Sequence, residues 1–230
     1  MTDADTPLIT VHHLEQSRSH RVLWMLEELE VPYRLVRYRR DPKTFRADPA
    51  LRRVQPLGKA PIVSLPGEVV LYESGAILEH LAENVGGGRF RPEPGTPACR
   101  EYRALMHFAE GSMMPSLLVR LIFDRLRDAP LPFFVKPIAK RIAGNVDALF
   151  TQPEIDLHMG FLEELLGSKE HFIGTFSAAD IQLSYPVEAA FARGRVGAQA
   201  YPGLRRWMQR MKSRPAYDRA VAKGGPAIGT

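Results

Sequence analysis

The sequence predicts an α/β N-terminal domain with the element order β-α-β-α-β-β-α, followed by an all-α C-terminal domain. Three observations carry that expectation. Strand-like and helix-like apolar patterns alternate up to about residue 85, and only helical spacing continues beyond it. Between the two, Gly86-Gly87-Gly88 and then Pro92, Pro94, Gly95 and Pro97 interrupt every periodic pattern, as an interdomain linker does. Charge divides at the same place, with eleven basic and twelve acidic side chains in residues 1–85 against twenty and fourteen in residues 86–230. The expected domains are therefore residues 1–85 and 98–230, with residues 86–97 as the linker.

The elements follow in order. Leu8 to His13, rich in Ile, Thr and Val, reads as a strand, and Arg18 to Val31 as a helix with Val22, Leu23, Leu26 and Leu29 at helical spacing. Tyr33 to Tyr38 alternates Leu35 with Arg34 and Arg37, as a second strand does. This β-α-β unit should hold its two strands parallel. A polar, weakly helical stretch from Thr44 to Arg53 precedes the short strands Ile62 to Leu65 and Val69 to Tyr72, which Pro66-Gly67-Glu68 turns into an antiparallel hairpin. Ser74 to Asn84 closes the domain as a helix with Ile77, Leu78 and Leu81 on one face. That order within about 85 residues matches a thioredoxin-like sheet. Beyond the linker, helical patterns run over Ala98–Arg127, Lys136–Phe150, Glu154–Gly167, Ala178–Ala192 and Tyr201–Arg214, and Pro115 should kink or split the first of them.

Composition excludes several function classes. Hydrophobic residues at 45% and charged residues at 25% describe an ordinary folded chain. The longest uncharged apolar stretch, Gly111 to Val119, falls far short of the roughly 20 residues a membrane span needs. The first eight residues carry two acids and no apolar core, so no secretory signal is expected and the cytoplasm is the expected location. Cys99 is the single cysteine, which excludes an intramolecular disulfide, C-x-x-C chemistry and a cysteine zinc cage. No acidic spacing around His12 and His13 makes a metal site, and both are expected to pack or hydrogen-bond structurally. Nine Lys or Arg against Asp218 alone, from Arg193 to Lys223, suggest a phosphate-binding stripe or a solvated helix face. Without interleaved aromatics the solvated face is the stronger reading, and nucleic acid is not an expected partner.

Three short motifs carry chemistry. Ser17 lies between the first strand and the first helix, where a hydroxyl either caps the helix or donates to a bound anion. His20, three residues on, is a tempting base but is expected to face solvent or the second domain, and Trp24 is expected in the core. Lys59-Ala60-Pro61 leads into the third strand. An ordinary trans proline suits a strand start, whereas a cis bond would leave the backbone of Ala60 free to pair with an extended ligand. Glu73-Ser74 opens the closing helix, where Ser74 could cap or bind a carboxylate and Glu73 could receive an ammonium group. Ser177-Ala178-Ala179-Asp180-Ile181 reads as a capping box with Phe176 and Ile181 as its staple, a structural device.

Taken in this order, from about Ile9 to Tyr217, these motifs resemble those of the cytosolic glutathione transferases. Lys59-Ala60-Pro61 resembles the family's cis-proline loop, with Ala60 in place of the usual valine. Glu73-Ser74-Gly75-Ala76-Ile77-Leu78 resembles its glutamate-serine helix start, with Gly75 in place of asparagine. Ser17 to Arg21 matches the S-x-x-x-R pattern of the family's serine type. The resemblance implies glutathione as co-substrate, with Ser17 donating to its thiolate and needing no base of its own. Glutathione would lie as an added strand against Ala60 and Pro61, its γ-glutamyl end at Glu73 and Ser74, with Arg18 and Lys59 as partners for its anionic groups. The thiolate would attack an apolar electrophilic small molecule or reduce a peroxide or disulfide. Met106, Glu110, Met113 and Met114 could line the electrophile pocket or serve as core or dimer contacts. A homodimer, a detoxifying transferase and no metal are also implied. The rival reading is a transferase-fold interaction protein without turnover.

Overall fold

The computed structural model describes residues 9–197 and 199–228. Leu8, expected to begin the first strand, and the rest of the leading octet on which the signal-peptide expectation rests lie outside the described residues. Four strands, β1 (Thr10–Leu14), β2 (Arg34–Tyr38), β3 (Ile62–Leu65) and β4 (Val69–Tyr72), form one mixed sheet in the order β2-β1-β3-β4. β1 and β2 run parallel with Thr10 opposite Arg34, whereas β3 is antiparallel to both β1 and β4. The β3–β4 turn places both Gly67 and Glu68 at positive φ, a twist that suits a tight hairpin.

Helix α1 (Ser19–Leu29) crosses between β1 and β2 and is buried almost all round, with Val22, Leu23, Trp24, Met25 and Leu26 fully inaccessible. Helix α2 (Ser74–His80) follows β4 and continues into a wide turn over Leu81–Val85. The expected helix over Thr44 to Arg53 is only a 3-10 turn at Pro49–Arg53. Its polar side chains compete for the backbone: the Asp41 carboxylate accepts the amides of Lys43 (2.9 Å) and Thr44 (2.6 Å), and Asp48 accepts that of Ala50 (2.8 Å).

The helical region contains α3 (Pro97–Phe108), α4 (Met114–Asp128), α5 (Lys136–Val146), α6 (Gln152–Leu166), α7 (Ala178–Arg193), α8 (Pro202–Lys212) and α9 (Pro215–Gly224). The helix expected from Ala98 to Arg127 is split by a wide turn at Ala109–Met113, which leaves Pro115 in the first turn of α4, where its missing N–H costs no bond. A second wide turn at Asp147–Thr151 places Pro153 at the start of α6 in the same way. α7 is the central helix, and its Asp180 carboxylate accepts the Ser177 amide (3.0 Å), the Ser177 hydroxyl (3.1 Å) and Trp207 Nε1 of α8 (3.1 Å).

α9 was not foreshadowed by the apolar pattern, because Pro215 reads as a stop and instead occupies the first helical turn. It lies along α1. Arg214 pairs with Glu28 (2.6 Å), Arg219 (2.9 Å) and Lys223 (2.5 Å) pair with Glu27, and Tyr217 packs edge-on against both Trp24 and His20. These pairs, with Lys212 on Glu188 and Arg195 on Asp147, consume much of the basic run from Arg193 to Lys223. The run is a set of tertiary clamps and solvated faces. Among the described residues no helix is long and apolar enough to cross a membrane, and no group of three His, Cys, Asp or Glu is arranged to hold a metal ion.

Candidate active site

The C-terminal end of β1, the loop before β3 and the start of α2 meet at one edge of the sheet because β1 and β3 are neighbours and β4 returns beside them. A cleft of about 780 Å³ opens there, and Ser17, Arg18, Lys59, Ala60, Pro61, Glu73 and Ser74 all line it. Further wall comes from the end of β1 and of β4, from the segments 40–52 and 55–58, and from Tyr185 of α7.

Ser17 stands one residue before the N-cap position of α1. Its hydroxyl is buried at the cleft wall, accepts the first amide of the helix, that of Ser19 (3.2 Å), donates to the Leu14 carbonyl (2.7 Å) and lies 2.7 Å from the Ser19 hydroxyl. The Ala60–Pro61 bond is cis, and among the described residues neither the N–H nor the C=O of Ala60 has a hydrogen-bond partner. Glu73, exposed at the entry to α2, holds φ 68° and ψ 122°. A side chain at positive φ is costly away from glycine, and such strain collects at binding sites. Ser74 is not a capping donor or acceptor for its own helix. Its buried hydroxyl accepts Arg21 Nη1 (3.0 Å).

Arg21, given no role by the sequence reading, is the hinge between the two halves of the protein. Its side chain is 1% exposed and Nη1 also donates to Glu110 (2.6 Å) and Gln182 (3.1 Å), while the guanidinium lies 5.1 Å from the Tyr185 ring centroid. Burial lowers its pKa, opposed by the Glu110 carboxylate. Glu110 also pairs with Arg18 (3.1 Å), so it is a clamp on two arginines rather than part of a pocket lining. Of the two roles open to the methionines, pocket lining or core and dimer contact, the packing matches core contact: Met106 and Met113 are buried in the core and Met114 packs against it, and none of the three lines the cleft. The helical-region residue that does line the cleft is Tyr185 of α7. The signal for Arg21 was a charged residue one turn before Met25 on an otherwise apolar helix face.

Three histidines stand beside this site. His12 bonds Tyr38 and Ser64 (both 3.0 Å), a structural tie across the sheet. His20, expected toward solvent or the helical domain, is buried against Tyr217 of α9, and burial pushes its pKa down to about 4, so the ring is neutral at neutral pH. His13 bonds Ser19 through Nδ1 (2.8 Å) and the Gly224 carbonyl of α9 through Nε2 (2.9 Å). Trp24 lies in the core as expected.

Residues 17–84 match the family model described as "Glutathione S-transferase, N-terminal domain". Over 218 residues the chain is 38% identical to Glutathione S-transferase 3 of Schizosaccharomyces pombe, covering 94% of this chain and 88% of the relative. The chain is an enzyme of the glutathione S-transferase family. The thioredoxin-like domain and the helical region recur in a crystal structure of a glutathione S-transferase from Actinobacillus pleuropneumoniae, at 29% identity and a TM-score of 0.78, covering 96% of this chain and 94% of that one. A relative named Disulfide-bond oxidoreductase YfcG, from Escherichia coli, is 26% identical over 94% of this chain and 95% of its own.

Proposed function

We propose that this transferase activates glutathione by donating a hydrogen bond from Ser17 to the sulfur, the serine-type mode. The observation that carries the reading is convergence: a buried serine hydroxyl, the free backbone of Ala60 beside its cis proline, and the strained Glu73 with Ser74 line one cleft. Residues 1–85 act as the glutathione-binding domain, residues 86–97 as the linker and residues 98–230 as the helical domain. The peptide backbone of glutathione pairs with Ala60, its γ-glutamyl end meets Glu73 and Ser74, and Arg18 and Lys59 face its carboxylates.

A free thiol titrates near pH 8.5, so only a few per cent is nucleophilic at neutral pH. A hydrogen bond to the charged form stabilises it and lowers that value. The electrophile then enters beside Tyr185 and is attacked by the sulfur, with conjugation to an apolar electrophile as the main reaction and a detoxifying role as its consequence. Reduction of disulfides or peroxides is the second reading, supported by the name of the Escherichia coli relative. The enzyme works in the cytoplasm as a homodimer on this reading, and exposed apolar residues on neighbouring helices, Leu118, Ile122, Leu157 and Phe161, support an association surface.

The test is calorimetric titration of reduced glutathione, followed by initial rates with an aryl halide, an organic hydroperoxide and a small disulfide, for wild type and Ser17→Ala. Binding in both with turnover lost in Ser17→Ala supports the reading. No binding to wild type, or equal turnover in the two, overturns it.

A further inference from the structure

Behind Ser17 runs a buried chain of polar atoms that glutathione binding alone does not need. Ser17 Oγ lies 2.7 Å from Ser19 Oγ, Ser19 Oγ lies 2.8 Å from His13 Nδ1, and His13 Nε2 lies 2.9 Å from the carbonyl oxygen of Gly224. A carbonyl only accepts, so Nε2 carries the ring proton and Nδ1 is left with a free lone pair. The Ser19 hydroxyl must then donate to Nδ1. Its oxygen already accepts the Leu14 amide (3.1 Å) and presents its remaining lone pair to the Ser17 hydroxyl. The Ser17 hydroxyl has two acceptors at 2.7 Å, the Leu14 carbonyl and Ser19 Oγ, and when turned to Ser19 it completes a run of donors from the cleft wall inward to the imidazole.

We propose that the thiol proton of bound glutathione leaves along this chain, through the hydroxyls of Ser17 and Ser19 to Nδ1 of His13. The inference rests on Ser17 as the partner of the sulfur. The S–H bond breaks and its electron pair stays on sulfur, while the proton joins Ser17 Oγ. Ser17 passes its own proton to Ser19 Oγ, and Ser19 passes its proton to Nδ1. No atom is oxidised or reduced. At the end every hydrogen bond is reversed, so that Nδ1–H donates to Ser19, Ser19 to Ser17, and Ser17 to the thiolate. The same movement that removes the proton leaves Ser17 as the thiolate's hydrogen-bond donor.

The surroundings of His13 fit an acceptor that is empty at rest. Ser19 is fully buried and His13 nearly so, hence bulk water does not take the proton at this point. Burial, the largest influence, and the nearby Arg37 of β2 favour the neutral ring and outweigh the Gly224 bond and Glu15, which favour the imidazolium, so the resting ring titrates below the ordinary 6.5. His20 on α1 is the other titratable group beside it and is neutral. The Gly224 carbonyl comes this close because residue 224 lacks a side chain: a Cβ there would stand 3.0 Å from His13 Cε1 and overlap Leu23. The C-terminal helix thus supplies the group that fixes the tautomer, and His13 and Ser19 are positioning residues that act through Ser17.

The experiment is NMR of the His13 imidazole in the full-length protein at neutral pH, titrated with glutathione and with S-methylglutathione, which has no thiol proton, alongside ultraviolet absorbance of the thiolate. The expected result is an imidazolium signature at His13 with glutathione only, appearing in proportion to thiolate. In His13→Gln, whose amide retains a donor and an acceptor but takes no proton, the bound-thiol pKa should rise by about one unit or more, a tenfold loss of thiolate at neutral pH. Thiolate formed in the wild type while His13 stays neutral, or an unchanged bound-thiol pKa in His13→Gln, overturns the path. Absence of any thiolate from the bound wild type is a separate signature: it overturns the assignment of Ser17 and the path with it.

Discussion

Replacing Glu110 by glutamine removes one charge and little shape, which isolates what the clamp on Arg21 contributes. Arg21 is 1% exposed and has Glu110 at 2.6 Å, whereas its other contacts, Ser74 and Gln182, are neutral. Its Nε and Nη2 have no hydrogen-bond partner among the described residues. Breaking a fully buried pair costs about 3–5 kcal/mol. Glu110 itself is 31% exposed and the Tyr185 ring remains beside the guanidinium, so the cost falls below that of a fully buried pair, at about 2–3 kcal/mol. For a chain of this size that is a fall in Tm of about 5–10 °C. The assay is thermal and urea unfolding of Glu110→Gln beside Arg18→Ala. The second breaks the solvent-exposed arm of the same carboxylate, a pair worth at most about 1 kcal/mol. A Tm shift of a degree or less in Glu110→Gln, or equal shifts in the two, would refute the assignment of Glu110 as the counter-charge of a buried arginine.

Gly224→Ala forces a methyl group against Leu23 and His13 and should cost about 1–3 kcal/mol in urea unfolding; an unchanged midpoint would contradict the close approach of α9. His20 supplies a pH dependence: burial, with smaller repulsion from His13, Lys212 and Arg21, lowers its pKa from 6.5 to about 4. The unfolded chain therefore binds a proton that the folded one refuses, so stability falls by about 3 kcal/mol as pH drops from 6.5 to 4, a limb that His20→Phe should flatten. At Glu27, burial raises the carboxyl's pKa but hydrogen bonds from Lys223, Tyr33 and Arg219 outweigh it, and the net value lies below the ordinary 4.5. Its stabilisation is complete above pH 4.5 and disappears as pH falls through the folded value. Glu27→Gln should lower the unfolding midpoint at pH 7 and shrink its difference from wild type in acid, and a constant difference would count against the α1–α9 latch.

The parts of the structure that were legible are those whose cause is local. The strands Ile62–Leu65 and Val69–Tyr72 fall where alternation and the intervening turn residues put them. Ser17, Ala60 and Glu73-Ser74 reach one cleft because each sits at an element end, and the order of elements brings those ends together. What was illegible depends on packing between distant segments. α9 looked like a tail after Pro215, since its reason to be helical is the carboxylates of Glu27 and Glu28, nearly two hundred residues away. Apolar spacing could not choose between the pocket and core roles open to Met106 and Met113, because the choice depends on which distant segments pack against them, and both lie in the core. Arg21 was visible as part of a motif but silent as to role, because its partners Ser74, Glu110 and Gln182 come from three different elements.

The central claim is that Ser17 holds the sulfur of glutathione as a thiolate, and the most direct measurement is the ultraviolet thiolate absorbance of the binary complex against pH, in wild type and Ser17→Ala. The account predicts a bound-thiol pKa well below the free value of about 8.5 in the wild type and a return toward that value in Ser17→Ala, with glutathione still bound. A depressed pKa that survives the loss of the Ser17 hydroxyl would contradict it.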